Sequence, residues 1–184
     1  VLPYESNLLF INAIAYVILN ENLYNQDFID IRTKEFEQYK QSILNDKFAN
    51  PEYFRNITGY EDLADKIPTI ARSYATKKSM LFCGLGITEN VDGSYAVMAM
   101  VNLALMTGNI GKTGVGLMPL RGQNNVQGTC DMGCLPYYLP DYQNPEEHGL
   151  KTPDLIDAML DGKIKSMMVM GEDTAHIHPN LNKI

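Results

Sequence analysis

The sequence predicts an α/β fold with parallel strands and a helical N-terminal part. Met80-Leu81-Phe82-Cys83 and Ser166 to Met170 are short apolar runs, each followed by a glycine, Gly84 and Gly171, as in buried strands of a parallel sheet. A helical pattern follows the first run and another precedes the second. Residues 1–83 hold nine Lys and Arg and eleven Asp and Glu, the mixed surface of helices, whereas residues 84–133 hold ten of the fourteen glycines.

Ser6 or Asn7 can cap a first helix running to about Asn22, with Leu8, Ile11, Ala15 and Ile18 spaced as one apolar stripe. Phe28 to Ile31 reads as a short helical turn, and Glu35 to Asp46 as an amphipathic helix with Phe36, Tyr39 and Ile43 on one side. Pro51 and Gly59 punctuate the next stretch. A helix from about Asp65 to Thr76 tolerates Pro68 in its first turn. Ser94 to Thr107 is apolar nearly all round, so it is a buried helix, closed by Gly108. A long glycine- and amide-rich segment then runs to Leu150. Thr152 as N-cap, Pro153 in the first turn and Gly162 after the end bracket a last helix. Met98, Met100 and Met106, and likewise Met167, Met168 and Met170, read as core, and Cys83 as a small buried apolar residue.

With 184 residues, 45% of them hydrophobic, the chain can bury a core in one or two domains. A net charge of −7 argues against nonspecific nucleic-acid or anionic-membrane binding. No apolar run is long enough to span a bilayer. Cys83, Cys130 and Cys134 are an odd number without framework spacing, which fits a reducing, cytoplasmic compartment. The chain starts at Val1 without a signal peptide, and reads as a piece cut from a longer polypeptide.

Arg121 to Gly133 is the most informative stretch. It places one cation, the amides Gln123, Asn124, Asn125 and Gln127, and three glycines in thirteen residues. Glycines let backbone approach closely, amides donate and accept, and Arg121 supplies a planar cation. Such a segment surrounds a polar, anionic object. Gly84-Leu85-Gly86-Ile87-Thr88-Glu89 has the ingredients of a nucleotide-binding loop, yet Glu89 breaks the full dinucleotide fingerprint, and a tight βα turn explains it equally. Gly171-Glu172-Asp173 could accept hydrogen bonds from a ribose or a guanine edge, or be the acidic start of a helix. Gly111-Lys112-Thr113 mimics a phosphate loop but lacks the earlier glycine, since position 106 is Met. No cysteine or histidine spacing specifies a metal site; His176 and His178, near Asp173, could bind a metal but read more readily as a surface turn before Pro179.

Thr107-Gly108-Asn109-Ile110-Gly111-Lys112, followed by Pro119-Leu120-Arg121-Gly122-Gln123-Asn124-Asn125-Val126-Gln127-Gly128 and Asp131-Met132-Gly133, resembles the molybdopterin oxidoreductase family, and within it the catalytic alpha subunits of formate dehydrogenases. Gly84 to Glu89 is similar to that family's Gly-Met-Gly-x-Thr-Gln turn, and Ile57-Thr58-Gly59 also fits. The resemblance covers essentially the whole chain. It implies Rossmann-like αβα layers and a fragment spanning parts of two domains: residues 1–122 end one α/β domain, and residues 123–184 begin part of a second, cofactor-binding one. It implies two molybdopterin guanine dinucleotides holding molybdenum or tungsten, with an iron–sulfur cluster elsewhere in the full-length subunit. Formate, the remainder of its own subunit and an electron-transfer subunit are the implied partners.

By the same resemblance, Arg121 matches the arginine that orients the substrate and Gln123 its amide partner. Gly84, Leu85, Gly86, Glu89, Gly122, Asp131, Gly171, Glu172 and Asp173 fall at cofactor-binding positions. Leu85 stands for Met, and Glu89 for Gln, which exchanges a donor for an acceptor. Thr174 stands where Pro is common. The family's cluster-binding cysteines and its metal-ligating cysteine or selenocysteine are absent from this chain. The expected behaviour is therefore a fragment inactive alone, exposing surface that self-associates. A non-catalytic nucleotide- or pterin-binding module, an assembly protein, and another reductase of the family such as a nitrate reductase are the alternatives.

Overall fold

A computed structural model describes residues 2–3 and 5–184. The chain divides into two compact units, residues 1–122 and residues 123–184.

The first unit is built around α1 (Asn7–Asn20). Its Ile11, Ala13, Ile14, Ala15, Val17, Ile18 and Leu19 are all buried, which is more than one stripe, so neighbours must surround it. They do: α3 (Phe36–Asn45), α4 (Pro51–Thr58), α5 (Glu61–Thr76) and α7 (Gly93–Thr107) all pack against α1. The sequence expectation of a single stripe understated this helix. Short α2 (Gln26–Arg32) packs on α7 and is capped by Asn25, whose side chain accepts from Phe28 N–H at 3.0 Å. Asn50 likewise caps α4, and Pro51 opens it. Ser6 takes the N-cap position of α1, but its hydroxyl donates to the Pro3 carbonyl at 2.7 Å instead of capping.

Helix α5 starts at Glu61, four residues before the expected Asp65, so Pro68 lies inside it and not in the first turn. The buried positions Ala64, Ile67, Ala71 and Tyr74 continue one apolar face across the proline, and this packing outweighs the missing N–H. Helix α7 matches its expected span, although Tyr95 and Met98 are exposed while Met100, Leu103 and Met106 are buried. Gly108 ends it at φ +65°, and a Cβ there would also press on the Asn25 side chain.

Strand β1 (Met80–Cys83) falls where the sequence places it. Its partner is β2 (Gly116–Pro119), parallel, in register from Met80 opposite Gly116 to Cys83 opposite Pro119. The β2 segment carries glycine and proline and no β-branched residue, so the sequence did not announce it. Leu81, Cys83 and Leu117 belong to the core, whereas Met80, Phe82 and Met118 on the other face are exposed. Between the strands, α6 (Leu85–Thr88) makes a single turn before α7.

Asn109 knots this unit. It is buried, its Nδ2 donates to the Tyr74 carbonyl (2.8 Å) and to Thr107 Oγ1 (3.2 Å), and its Oδ1 accepts from Ser79 N–H (3.2 Å). One side chain thus fixes the end of α5, the approach to β1 and the end of α7.

The second unit holds α8 (Val126–Asp131), α9 (Thr152–Leu160) and α10 (Thr174–Ile177). After α8, Gly133 N–H donates to the Cys130 carbonyl and Cys134 N–H to the Thr129 carbonyl, with Gly133 at φ +77°. Helix α9 begins at Thr152 itself, with Lys151 in the cap position, and Gly162 follows at φ +72°. The buried strand expected at Ser166–Met170 does not form: the segment is irregular, with Met168 at 84% and Met170 at 82% exposure. A strand needs a neighbouring edge to pair with, and among the described residues this unit contains no other strand. The three methionines there are accordingly surface, not core. No helix among the described residues is long and apolar enough to cross a membrane.

Candidate functional site

In the first unit, β1 and β2 run parallel and end together. The Leu120 N–H donates to the Cys83 carbonyl at 2.7 Å, extending the pairing one residue past β2. A cleft of about 710 Å³ opens at these carboxyl ends, lined by Cys83, Gly84, Leu85, Gly86, Glu89 and Leu120, among others. Open parallel α/β sheets carry their ligands at this place. Four expected cofactor-binding residues, Gly84, Leu85, Gly86 and Glu89, therefore share one cleft. Gly122 does not line this cleft but lies against one of the residues that do: a Cβ there would come to about 3.2 Å from Leu85 Cδ1.

The turn itself is pinned from outside. Gly86 lines the cleft, and a Cβ on it would meet no atom within 4 Å. Its carbonyl accepts from Asn7 Nδ2 and from Asn90 Nδ2, both at 2.9 Å. Sequence reasoning missed both amides. Asn7 looked like a helix cap, and nothing in a linear reading links it to a turn 79 residues away. Asn90 follows the recognised motif and carries a local signal, a short amide able to satisfy a turn carbonyl.

Arg121 is exposed and directly follows Leu120, so the β2 end sets its backbone position. Gln123, also exposed, opens the second unit. Within that unit Asp131 ends α8, where its Oδ1 accepts from Gln127 Nε2 (2.9 Å) and from the Tyr142 hydroxyl (3.0 Å). The bond to Asp131 holds the Tyr142 hydroxyl above its ordinary pKa. Tyr142 was not anticipated as its partner.

Gly171, Glu172 and Asp173 lie elsewhere in the second unit. Gly171 turns the chain at φ +72°. Glu172 and Asp173 line a cavity of about 530 Å³ with Ile156, Met159, Val169 and Lys183. Asp173 Oδ2 pairs with His176 Nδ1 at 2.8 Å. Asp131 is not among the residues lining this cavity. Among the described residues no group of three or more His, Cys, Asp or Glu is placed to hold a metal ion, and Cys83, Cys130 and Cys134 are free thiols.

A profile of the molybdopterin oxidoreductase family matches residues 5–184. The chain is 40% identical to the F420-dependent formate dehydrogenase subunit alpha of Methanocaldococcus jannaschii, over 97% of this chain and 28% of that protein. It is 35% identical to formate dehydrogenase H of Escherichia coli, over 97% of this chain and 27% of that protein. A third relative, the F420-dependent formate dehydrogenase 1 subunit alpha of Methanococcus maripaludis, is 38% identical over 97% of this chain and 28% of that protein. The chain thus spans about 28% of the length of the curated relatives it matches. With the turn after β1 and the Arg121–Gly133 block in place, the chain belongs to the molybdopterin oxidoreductase family.

Proposed function

We propose that this chain is part of the catalytic subunit of a formate dehydrogenase, which oxidises formate to carbon dioxide, and that it is inactive alone. The observation that carries this reading is the cleft at the joined ends of β1 and β2, with Arg121 immediately after it. Its volume of about 710 Å³ is in the range of small-molecule sites. The open space at Gly86 and the close approach of Gly122 to Leu85 suit a flat ring laid against backbone.

Within the first unit, Gly84, Leu85, Gly86, Glu89 and Gly122 fit a molybdopterin guanine dinucleotide and would hold it there; within the second, taken by itself, Gly171, Glu172 and Asp173 would suit a guanosine end. Two carboxylates suit the N–H edge of guanine better than a phosphate. When bound, a pair of such groups with molybdenum or tungsten would supply the two-electron acceptor that the conversion of formate to carbon dioxide, two electrons and one proton requires. Arg121 stays charged at any working pH and can bind a small carboxylate through two N–H donors. Gln123, by its place in the Arg121–Gly133 block, would supply an amide donor.

Parallel sheets are covered on both faces. The exposed face of Met80, Phe82 and Met118 is apolar, which supports a covering layer from the rest of the subunit and hence αβα layering. The exposed Ser166–Met170 run calls for a strand neighbour in the same way, and supports self-association of the piece in isolation. The two units would then belong to two domains of the parent, with the iron–sulfur cluster and the electron-transfer subunit outside this chain. The test is direct. The full-length subunit should contain pterin and molybdenum or tungsten and reduce an artificial acceptor with formate, while residues 1–184 alone should not. Formate oxidation by the isolated chain, or a pterin-free full-length subunit, would overturn the proposal.

A further inference from the structure

We infer that Asn7 and Asn90 act together as positioning residues for the Gly84–Glu89 turn, clamping the Gly86 carbonyl between two amide donors. The inference rests on the reading of that turn as a cofactor seat. One helical turn does not hold its own shape, because nucleation fixes several dihedrals for very few hydrogen bonds. Within α6 the Gly84 carbonyl accepts from Ile87 N–H (3.0 Å) and the Leu85 carbonyl from Glu89 N–H (2.9 Å). The Gly86 carbonyl is held instead by Asn7 Nδ2 and Asn90 Nδ2, at 2.9 Å each, and Asn90 also reaches the Ile87 carbonyl at 3.4 Å.

The two donors differ in origin. Asn90 is local and closes the turn on itself. Asn7 is the first residue of α1, the helix whose Ile11, Ile14 and Ile18 form the centre of the core. Through Asn7 the turn is referenced to the best-packed element of the unit. Both residues also line the cleft of about 710 Å³ and a neighbouring hollow of about 310 Å³. Each therefore stands beside the space a bound ring would fill, without belonging to the motif that recognises it.

Two donors on one acceptor make the arrangement redundant, and redundancy has a distinctive signature. In the full-length holoenzyme, Asn7→Ala and Asn90→Ala each leave the carbonyl one donor, and cofactor release should quicken about 2- to 3-fold. The double variant leaves none and should release cofactor more than about 10-fold faster, beyond the product of the single effects. Release is followed by fluorescence of the oxidised pterin after dilution, with thermal melting measured alongside. Asn7→Asp in the Asn90→Ala background turns the donor into an acceptor and should be no better than the double alanine variant. Gly86→Val places its side chain in open space, so it blocks the seat without straining the chain, and serves as the reference. If Gly86→Val quickens release while the double variant does not, the positioning role is wrong. If Gly86→Val changes nothing, the turn is not the cofactor seat, and the inference falls with the reading beneath it.

Discussion

Replacing Asn109 with Leu should remove a large part of the stability of the first unit. The substitution is nearly isosteric, so its effect is polar. It strands the Tyr74 carbonyl and the Ser79 N–H, both of which now bond to Asn109. A buried polar group left without its partner costs about 1–3 kcal/mol, which places the sum at about 3–4 kcal/mol. Against a total stability of about 5–15 kcal/mol for a domain, that is a substantial fraction. For a chain of this size it corresponds to a fall in melting temperature of about 6–16 °C. Far-UV circular dichroism of the 184-residue chain, by heat and by urea, reads both numbers. Asn109→Asp keeps an acceptor for Ser79 but sets a carboxylate against the Tyr74 carbonyl, and should be at least as damaging. Thr107→Val should cost only about 1 kcal/mol, because it removes the weaker of the two acceptors. A loss below about 1 kcal/mol for Asn109→Leu would show that the knot between α5, β1 and α7 is not holding them.

Three further outcomes follow from named contacts. Ile18→Ala, at a position with no exposed surface, should destabilise by about 2–5 kcal/mol in a urea titration. Gly133→Ala is opposed twice, by φ +77° and by a Cβ about 2.5 Å from Pro140 N, so it should cost more than about 2 kcal/mol and speed hydrogen exchange in the second unit while leaving the first protected. Burial, opposed by Asn102, raises the Tyr39 hydroxyl from its ordinary 10 to about 12. Its folded value lies above the unfolded one, so its stabilisation is complete below pH 10 and is lost progressively from pH 10 to about 12, a slope that Tyr39→Phe should reduce.

Local signals of one kind were legible in the sequence. Helices α1, α5 and α7 and strand β1 declare themselves by apolar spacing, and Gly108 by its place after an apolar run. What failed depends on distant partners. The Ser166–Met170 run has strand composition but no edge to pair with, so its methionines face solvent. Strand β2 has poor strand composition, yet pairs because β1 supplies an edge in register. Pro68 is carried inside α5 because a continuous buried face on both sides of it outweighs a local cost. The site divides along the same line. The Gly84–Glu89 turn and the Arg121 block are contiguous and were visible as strings. Asn7 and Tyr142, which hold Gly86 and Asp131, were not, because their roles exist only after folding brings them to partners 79 and 11 residues away along the chain.

Arg121 is proposed to bind the substrate carboxylate at the ends of β1 and β2. The measurement that tests it most directly is the steady-state kinetics of formate oxidation by the full-length enzyme carrying Arg121→Lys and Arg121→Ala, at equal pterin and metal content. Lysine keeps the charge but not the two-pronged geometry, and should raise the KM for formate about tenfold; alanine should lower kcat/KM by about 100-fold or more. Unchanged kcat/KM in both variants, with cofactor fully loaded, would contradict the account.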